Sequence, residues 1–248
     1  MTTVTTERRV RIIADSDPLN PRTEYDCHAG RMLCWHDNYN LGDEHSVDSD
    51  NWKRELACEA DADLEEELDR LENDVYDRLY DRAIDNGHDG FDDCHEYASR
   101  FVSKRIDDLI DKAFDAGYVA LPLYLYDHSG ITMSTGSFGC PWDSGQVGLI
   151  VCDQQAIDDE FEGDRDKAEK CLQAEVEFYD QYLTGDVYGF IIEEREVEEG
   201  ADLDDDEGWD EIDSCWGFYG SDVHANGIVD HIDADLIESA ENADIEYR

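Results

Sequence analysis

The chain predicts an α+β fold with a mainly antiparallel sheet, on three observations. Its strand-like segments come in pairs around short turns, and its helical segments come in blocks between those pairs. The acids that crowd the rest of the chain also nearly vanish over residues 117–152, where only Asp127 and Asp143 are acidic and no Lys or Arg occurs. Paired strands with helices segregated between them mark α+β rather than the strict alternation of a parallel α/β sheet. A single domain over residues 1–248 is expected, with an acidic helical hairpin inserted at 51–116, its helical part at about 55–116, and one or two further helices.

Residues 1–7 are expected to fray, and Val10, Ile12 and Ala14 alternate as a first strand. Arg31–His36, entered through Gly30, makes a second. From Asp61 to Asp85, Leu64, Leu68, Leu71, Val75, Leu79 and Ala83 keep helical spacing, and Asn86-Gly87 supplies the stop. A second helix over about 91–116 carries Phe91, Cys94, Ala98, Phe101, Val102, Ile106, Leu109, Ile110 and Ala113 and ends at Gly117. The acid-poor middle then changes to strand chemistry. Tyr118–Tyr126 is followed by a turn at 127–130, by Ile131–Ser134, and, after a Gly-rich loop, by Gln146–Cys152. Pro122 places the first of these strands at an edge, or starts it after the proline. Ala168, Cys171, Leu172, Val176, Tyr179 and Leu183 mark a third helix stopped by Gly185. Strands at about 187–197 and 208–219 form a hairpin, and a last helix spans about 229–241 with Ile232, Leu236 and Ile237.

Sixty-six acids against 19 bases give a net charge of −47. Such a chain does not bind nucleic acid by neutralising phosphates. The bases are 5 Lys and 14 Arg, so Lys is the residue that is scarce. In molar salt, charges are screened over ~3 Å, and an acidic coat costs little repulsion while it keeps the chain hydrated. A DNA mimic instead needs rows of acids at phosphate spacing on one surface and gains nothing from Arg over Lys. A halophilic protein is therefore the first expectation and a mimic the second. Five Trp, 13 Tyr and 8 Phe exclude a disordered chain. No apolar run approaches the ~18 residues that cross a bilayer, and MTTVTTERR is no signal sequence, so a cytoplasmic protein without a membrane partner is expected. Eight Cys without a CxxC pair are expected as thiols there. Neither GxxxxGK[ST] nor GxGxxG occurs, and no cofactor is expected.

Gly139-Cys-Pro-Trp-Asp-Ser-Gly145 is the most pointed segment. A tight loop between strands presents side chains at a sheet end. Cys140 there could act as a nucleophile, with His128 as its base and Asp127 or Asp143 orienting the imidazole. The alternative is a structural plug, with Trp142 in the core and Asp143 and Ser144 bonding a turn. Cys27-His28 and Cys34-x-His36, with His45 nearby, resemble zinc-ligand spacing, but Trp35 takes the opposite strand face and an isolated Cys-His pair is a common accident; no metal is assigned. Asp202-x-Asp204-x-Asp206 with Gly208 and Asp213 resembles a calcium loop, yet Glu207 stands where that loop needs Gly. A solvated hairpin turn is the expectation. Cys94 and Cys171 fall on apolar helical faces and are expected in the core.

Five blocks are too particular to be generic: Asn38–His45, Leu121–Gly130, Ser137–Gly148, Glu177–Phe190 and Asp213–Gly220. Together they resemble an uncharacterised family of small proteins encoded by tailed viruses, proviruses and plasmids of bacteria and archaea, over residues 24–46 and 117–220. The acidic hairpin at 51–116 and the denser surface charge depart from that family and suit a haloarchaeal member. The resemblance implies a mobile-element accessory protein with no established activity. Its blocks pool Asp127, His128, Cys140, Trp142, Asp143, Ser144, Gln146, Asp180, Tyr182, Asp186, Asp213, Cys215 and Trp216, which would line one polar, aromatic-walled cleft if the sheet brings the strand ends together. Three functions follow, in order: binding of a host or viral macromolecule, with a protein as the expected partner and counter-defence as one purpose; thiol- or carboxylate-dependent hydrolysis through Cys140, His128 and Asp143; and DNA mimicry.

Overall fold

The computed structural model describes residues 4–88, 90–198 and 207–247. In chain order its strands and helices are β1 (Val4–Ala14), α1 (Pro21–Glu24), β2 (Arg31–Cys34), α2 (Trp52–Ala60), α3 (Leu64–Arg70), α4 (Tyr76–Asp85), α5 (Phe91–Gly117), β3 (Tyr118–Asp127), β4 (Ile131–Ser134), β5 (Ser144–Asp153), α6 (Gln154–Phe161), α7 (Arg165–Thr184), β6 (Val187–Glu198), β7 (Asp210–Tyr219), α8 (Ile237–Glu241) and β8 (Ile245–Glu246). The strands form two four-stranded sheets, ordered β7-β6-β1-β8 and β2-β5-β3-β4. The fold is α+β, and within the first sheet β8 runs parallel to β1 while β1, β6 and β7 pair antiparallel. The chain divides into two compact units, one from the described parts of Met1–Asp26, Tyr124–Gly145 and Ala174–Arg248, the other from Cys27–Leu123 and Gln146–Gln173.

The first unit is built on β1, β6 and β7. Val10 and Ile12 of β1, Tyr188, Phe190 and Ile192 of β6 and Phe218 of β7 fall on one face by strand alternation. Ile228, Leu236 and Ala240 of the C-terminal segment cover them. β1 begins earlier than expected: Val4–Glu7 do not fray but pair with Arg195–Glu198, and Arg195 Nε donates to Glu7 at 2.9 Å. The expected last helix at 229–241 is broken. Ile232 and Asp233 are extended, so two 3-10 turns, Ile228–His231 and Ala234–Leu236, precede the five-residue α8. Spacing that looked helical here is the result of a chain laid over a sheet, where Ile228, Leu236 and Ala240 only need to face inward. At Gly217, with φ 88°, β7 gains an extra residue between the pairs Gly189↔Trp216 and Tyr188↔Phe218. Such a bulge re-aims the strand end.

The second unit pairs β2 with β5 through Arg31↔Val151 to Cys34↔Gly148, and it sets Leu33, Leu149 and Val151 against the helices. The helical hairpin is present with its first arm in pieces. Asp61 is extended and its Oδ1 accepts from Asp63 N at 3.1 Å, so α2 ends and α3 starts afresh. α3 then passes through a π turn, Leu71–Val75, into α4. Both lie along α5, a 27-residue helix about 40 Å long by its 1.5 Å rise, which buries Cys94, Ala98, Val102 and Phe114. Asn86-Gly87 ends α4 as expected, with Gly87 at φ 89°. Phe91 and Phe101, expected on the apolar face, are 68% and 55% exposed, Phe91 against the rings of Tyr80 and His95 and Phe101 against Tyr97. α6 is an element the sequence reading lacked: Asp153 caps it through Ala156 N at 2.8 Å, and Ile157 is its single fully buried side chain. Within β3, Pro122 lies beyond the reach of the four-residue β4, whose pairing stops at Tyr124↔Ser134, so its missing N–H breaks no bond to that neighbour.

Candidate functional site

At the end of the β3–β4 hairpin, Asp127 pairs with Ile131 and the loop between them turns on Ser129 at φ 64°, with His128 N donating to Gly130 O at 3.0 Å. The loop from 135 to 143 then returns to β5, and Asp127 N donates to Asp143 O at 2.8 Å. These two backbone features set two side chains around one carboxylate. Cys140 Sγ donates to Asp143 Oδ2 at 3.4 Å, and His128 Nδ1 lies 3.6 Å from the same oxygen. Ser144 Oγ donates to Cys140 O at 2.5 Å and closes the turn. Tyr126 adds a ring against both His128 and Phe138, at 6.1 and 5.7 Å between centroids.

That order is Cys140–Asp143–His128, which differs from the expected one with His128 beside the sulfur of Cys140. A thiol nucleophile needs a base beside its sulfur and a cation to hold the thiolate. The group at hydrogen-bond distance from the sulfur here is the Asp143 carboxylate, to which the thiol donates. These bonds cross-brace the loop. Trp142 corrects the alternative in the opposite direction: it is no core plug but stands 92% exposed at the loop tip.

The remaining pooled residues have separate duties. Asp180, on α7, accepts from Thr132 Oγ1 at 2.7 Å and from Met133 N at 2.6 Å, which ties the helix to β4 just behind the hairpin end. Tyr182 stacks on Tyr179 at 5.9 Å. Asp213 is exposed on β7 and accepts from Ser214 N at 2.9 Å, while Cys215 packs on the first unit's core. Trp216 lies across Gly189, where an added Cβ would fall 2.3 Å from its ring. Gln146, in the other unit, donates to Gly148 O at 3.2 Å. Asp186 alone among the pooled residues lines the cavity of about 580 Å3 in the first unit, whose other walls include Tyr25, Phe178, Gln181, Tyr219, Asp222 and Asn226. The sequence reading missed those walls. The glycines of Trp216-Gly-Phe-Tyr-Gly220, both at positive φ and both in the cavity wall, were the available signal.

The Cys-His pairs are used otherwise. His36 Nδ1 accepts from Asn38 N at 3.2 Å and its ring stacks on Tyr39, His45 Nε2 meets Cys34 O at 3.1 Å, and Cys27 is exposed. Among the described residues no group of three His, Cys, Asp or Glu side chains could hold a metal. Asp202, Asp204 and Asp206 of the calcium-like loop lie outside the described residues. Among the described residues no helix is long and apolar enough to cross a membrane. Comparison with protein-family models, with curated proteins and with solved structures gave no match to this chain.

Proposed function

We propose that this chain is a protein-binding accessory factor of a mobile genetic element in a salt-rich cell, and that the loop 135–143 makes the contact. One observation carries the reading: Trp142 is 92% exposed on a loop braced by Cys140, Asp143 and Ser144. Tryptophan is among the residues that most often dominate interface energy. A loop already held in shape loses little freedom on binding, so most of the burial energy of such an anchor is realised as affinity. The acid-poor stretch 117–152 supports the reading as well, since it frees this loop from the dense acidic coat that would repel an acidic partner.

The test is affinity capture from the native host in molar salt with the wild-type chain, Trp142→Ala and Cys140→Ser. A partner retained by wild type and Cys140→Ser but lost with Trp142→Ala supports the proposal. A hydrolytic activity abolished by Cys140→Ser would replace it with the enzyme. Capture of a DNA-binding protein that Trp142→Ala leaves intact, and that charge removal along α5 releases, would replace it with the mimic.

A further inference from the structure

We infer that the 580 Å3 cavity of the first unit is a binding site for a small organic cation of the alkylammonium class. The walls make the argument. Three aromatic rings meet there: Phe178 and Tyr219 lie 4.3 Å apart at 42°, and Tyr25 stands edge-on to Tyr219 at 6.4 Å and 73°. All three rings border the cavity, and an alkylated ammonium group is attracted to the face of any ring it reaches. Two carboxylates, Asp186 and Asp222, share the lining, and no Lys, Arg or His does. An anion would therefore meet only repulsion, and a neutral ligand would leave the carboxylates without a counter-charge.

The carboxylates are held in place rather than scattered. Asp222 Oδ1 accepts from Ala225 N at 3.0 Å and from His224 N at 2.9 Å, and these bonds hold its carboxyl below the usual range and therefore ionised. The imidazole beside Asp222 is turned elsewhere, since His224 Nε2 lies 2.7 Å from Glu241 Oε1. Asp186 O accepts from Gly220 N at 2.8 Å, which places that residue against the end of β7. Tyr219 donates its hydroxyl to Leu19 O at 2.6 Å, so its ring is fixed as a wall. Two glycines at positive φ border the space. Gly217, at φ 88°, has nothing within 4 Å of an added Cβ, and Gly220, at φ 90°, would put one 3.1 Å from Gln181 Nε2.

The experiment titrates the full chain with choline and with its uncharged isostere 3,3-dimethylbutan-1-ol, in molar KCl so that the general attraction of the acidic surface is saturated by potassium. Calorimetry and the tyrosine ring resonances report binding. Choline is expected to bind saturably, one per chain, about tenfold or more tightly than the isostere, the scale of a desolvated cation–aromatic contact. Phe178→Leu, which removes a ring, and Asp222→Asn, which removes an exposed charge without touching the core, should each weaken choline by roughly three- to tenfold. Asp244→Asn, an acid outside the cavity, should change nothing, and Ala225→Leu should block binding by filling the space. Equal affinity for choline and the isostere, no saturable binding, or equal weakening by Asp244→Asn and Asp222→Asn would overturn the proposal.

Discussion

Glu193→Gln should cost this protein about 2–3 kcal/mol through a change of one atom. Glu193 is 8% exposed on β6, and its two oxygens are divided between two guanidinium groups: Arg9 Nε donates to Oε2 at 2.7 Å and an Arg11 terminal nitrogen donates to Oε1 at 2.9 Å. Each such charge-assisted bond contributes about 1.5–3 kcal/mol, and the amide keeps roughly one neutral bond while turning an N–H2 toward a cation. Arg11 retains Glu246 and Arg9 retains its stacking on Trp209 at 4.3 Å, so the loss falls short of the full sum. In thermal unfolding in molar KCl at neutral pH, followed by circular dichroism, the midpoint should fall by about 4–12 °C for a chain of this size. Glu196→Gln, on the exposed continuation of the same strand, should stay within ~0.5 kcal/mol. The pH profile supplies a second check. Burial pushes the Glu193 carboxyl up, but its hydrogen bonds from Arg9 and Arg11 outweigh burial and hold it below its ordinary value. The folded state then binds this proton less readily than the unfolded one. Its contribution is complete above the unfolded pKa and is lost as pH falls through the folded value. The difference between wild type and Glu193→Gln should therefore shrink in acid. A constant difference down to pH 2, or a loss no larger than that of Glu196→Gln, refutes the reasoning.

Gly148→Ala should disrupt the β2–β5 pair at a cost of about 3 kcal/mol, because the new Cβ would lie 2.0 Å from Leu33 O and neither partner is a movable side chain; urea unfolding measures it, and a loss below ~1 kcal/mol is inconsistent with that approach. Asp180→Ala should free the Met133 amide and the Thr132 hydroxyl, lowering hydrogen-exchange protection at Met133 by about tenfold or more, and protection equal to wild type would mean that β4 is held by its pairing alone. Dilution of the wild-type chain to ~0.1 M salt, where screening reaches ~10 Å, should unfold it as judged by circular dichroism; a spectrum unchanged there contradicts the halophilic reading and strengthens the mimic.

What the sequence made legible follows the range of the forces involved. α5 ends at Gly117, and α4 stops at Asn86-Gly87, because capping and periodicity act over one or two turns. The hairpins β3–β4 and β6–β7 were legible for the same reason. α6 escaped because eight residues with one buried side chain, Ile157, carry too little period to register. The break at Asp61–Asp63 escaped because Leu64 to Ala83 keep their spacing whether or not α2 is continuous with them. At the candidate site, sequence proximity collected Cys140, Asp143 and Ser144 correctly, and the hairpin brought His128 to Asp143. Which group would stand between the other two depends on side-chain direction at a loop, and no spacing rule contains that. Residues 178, 186 and 219 meet across a cavity for a still longer-range reason, the bulge at Gly217, which is decided by pairing between strands.

The cations that survive in so acidic a chain follow a rule that composition alone does not state. Arg22 holds Glu175 at 2.9 Å with its side chain 2% exposed. Arg165 reaches the side chain of Gln154 and the carbonyls of Asp115 and Tyr118 at the start of β3. Arg9 and Arg195 both lie over Trp209, at 4.3 and 4.4 Å. Each of these duties needs a planar fork of several donors or a flat face for stacking, and an ammonium offers neither. Lys53 aside, which holds Asp111 and lies 5.4 Å from the Phe114 ring, the paired lysines sit in exposed pairs: Lys104 with Asp108 at 3.4 Å, Lys167 with Asp164 at 3.6 Å. Such pairs contribute close to nothing in salt. Losing such a lysine is therefore nearly free, while losing one of these arginines strands buried acceptors. The bias of 14 Arg to 5 Lys thus has two sources, a surface from which cations could be shed and a set of internal contacts from which they could not.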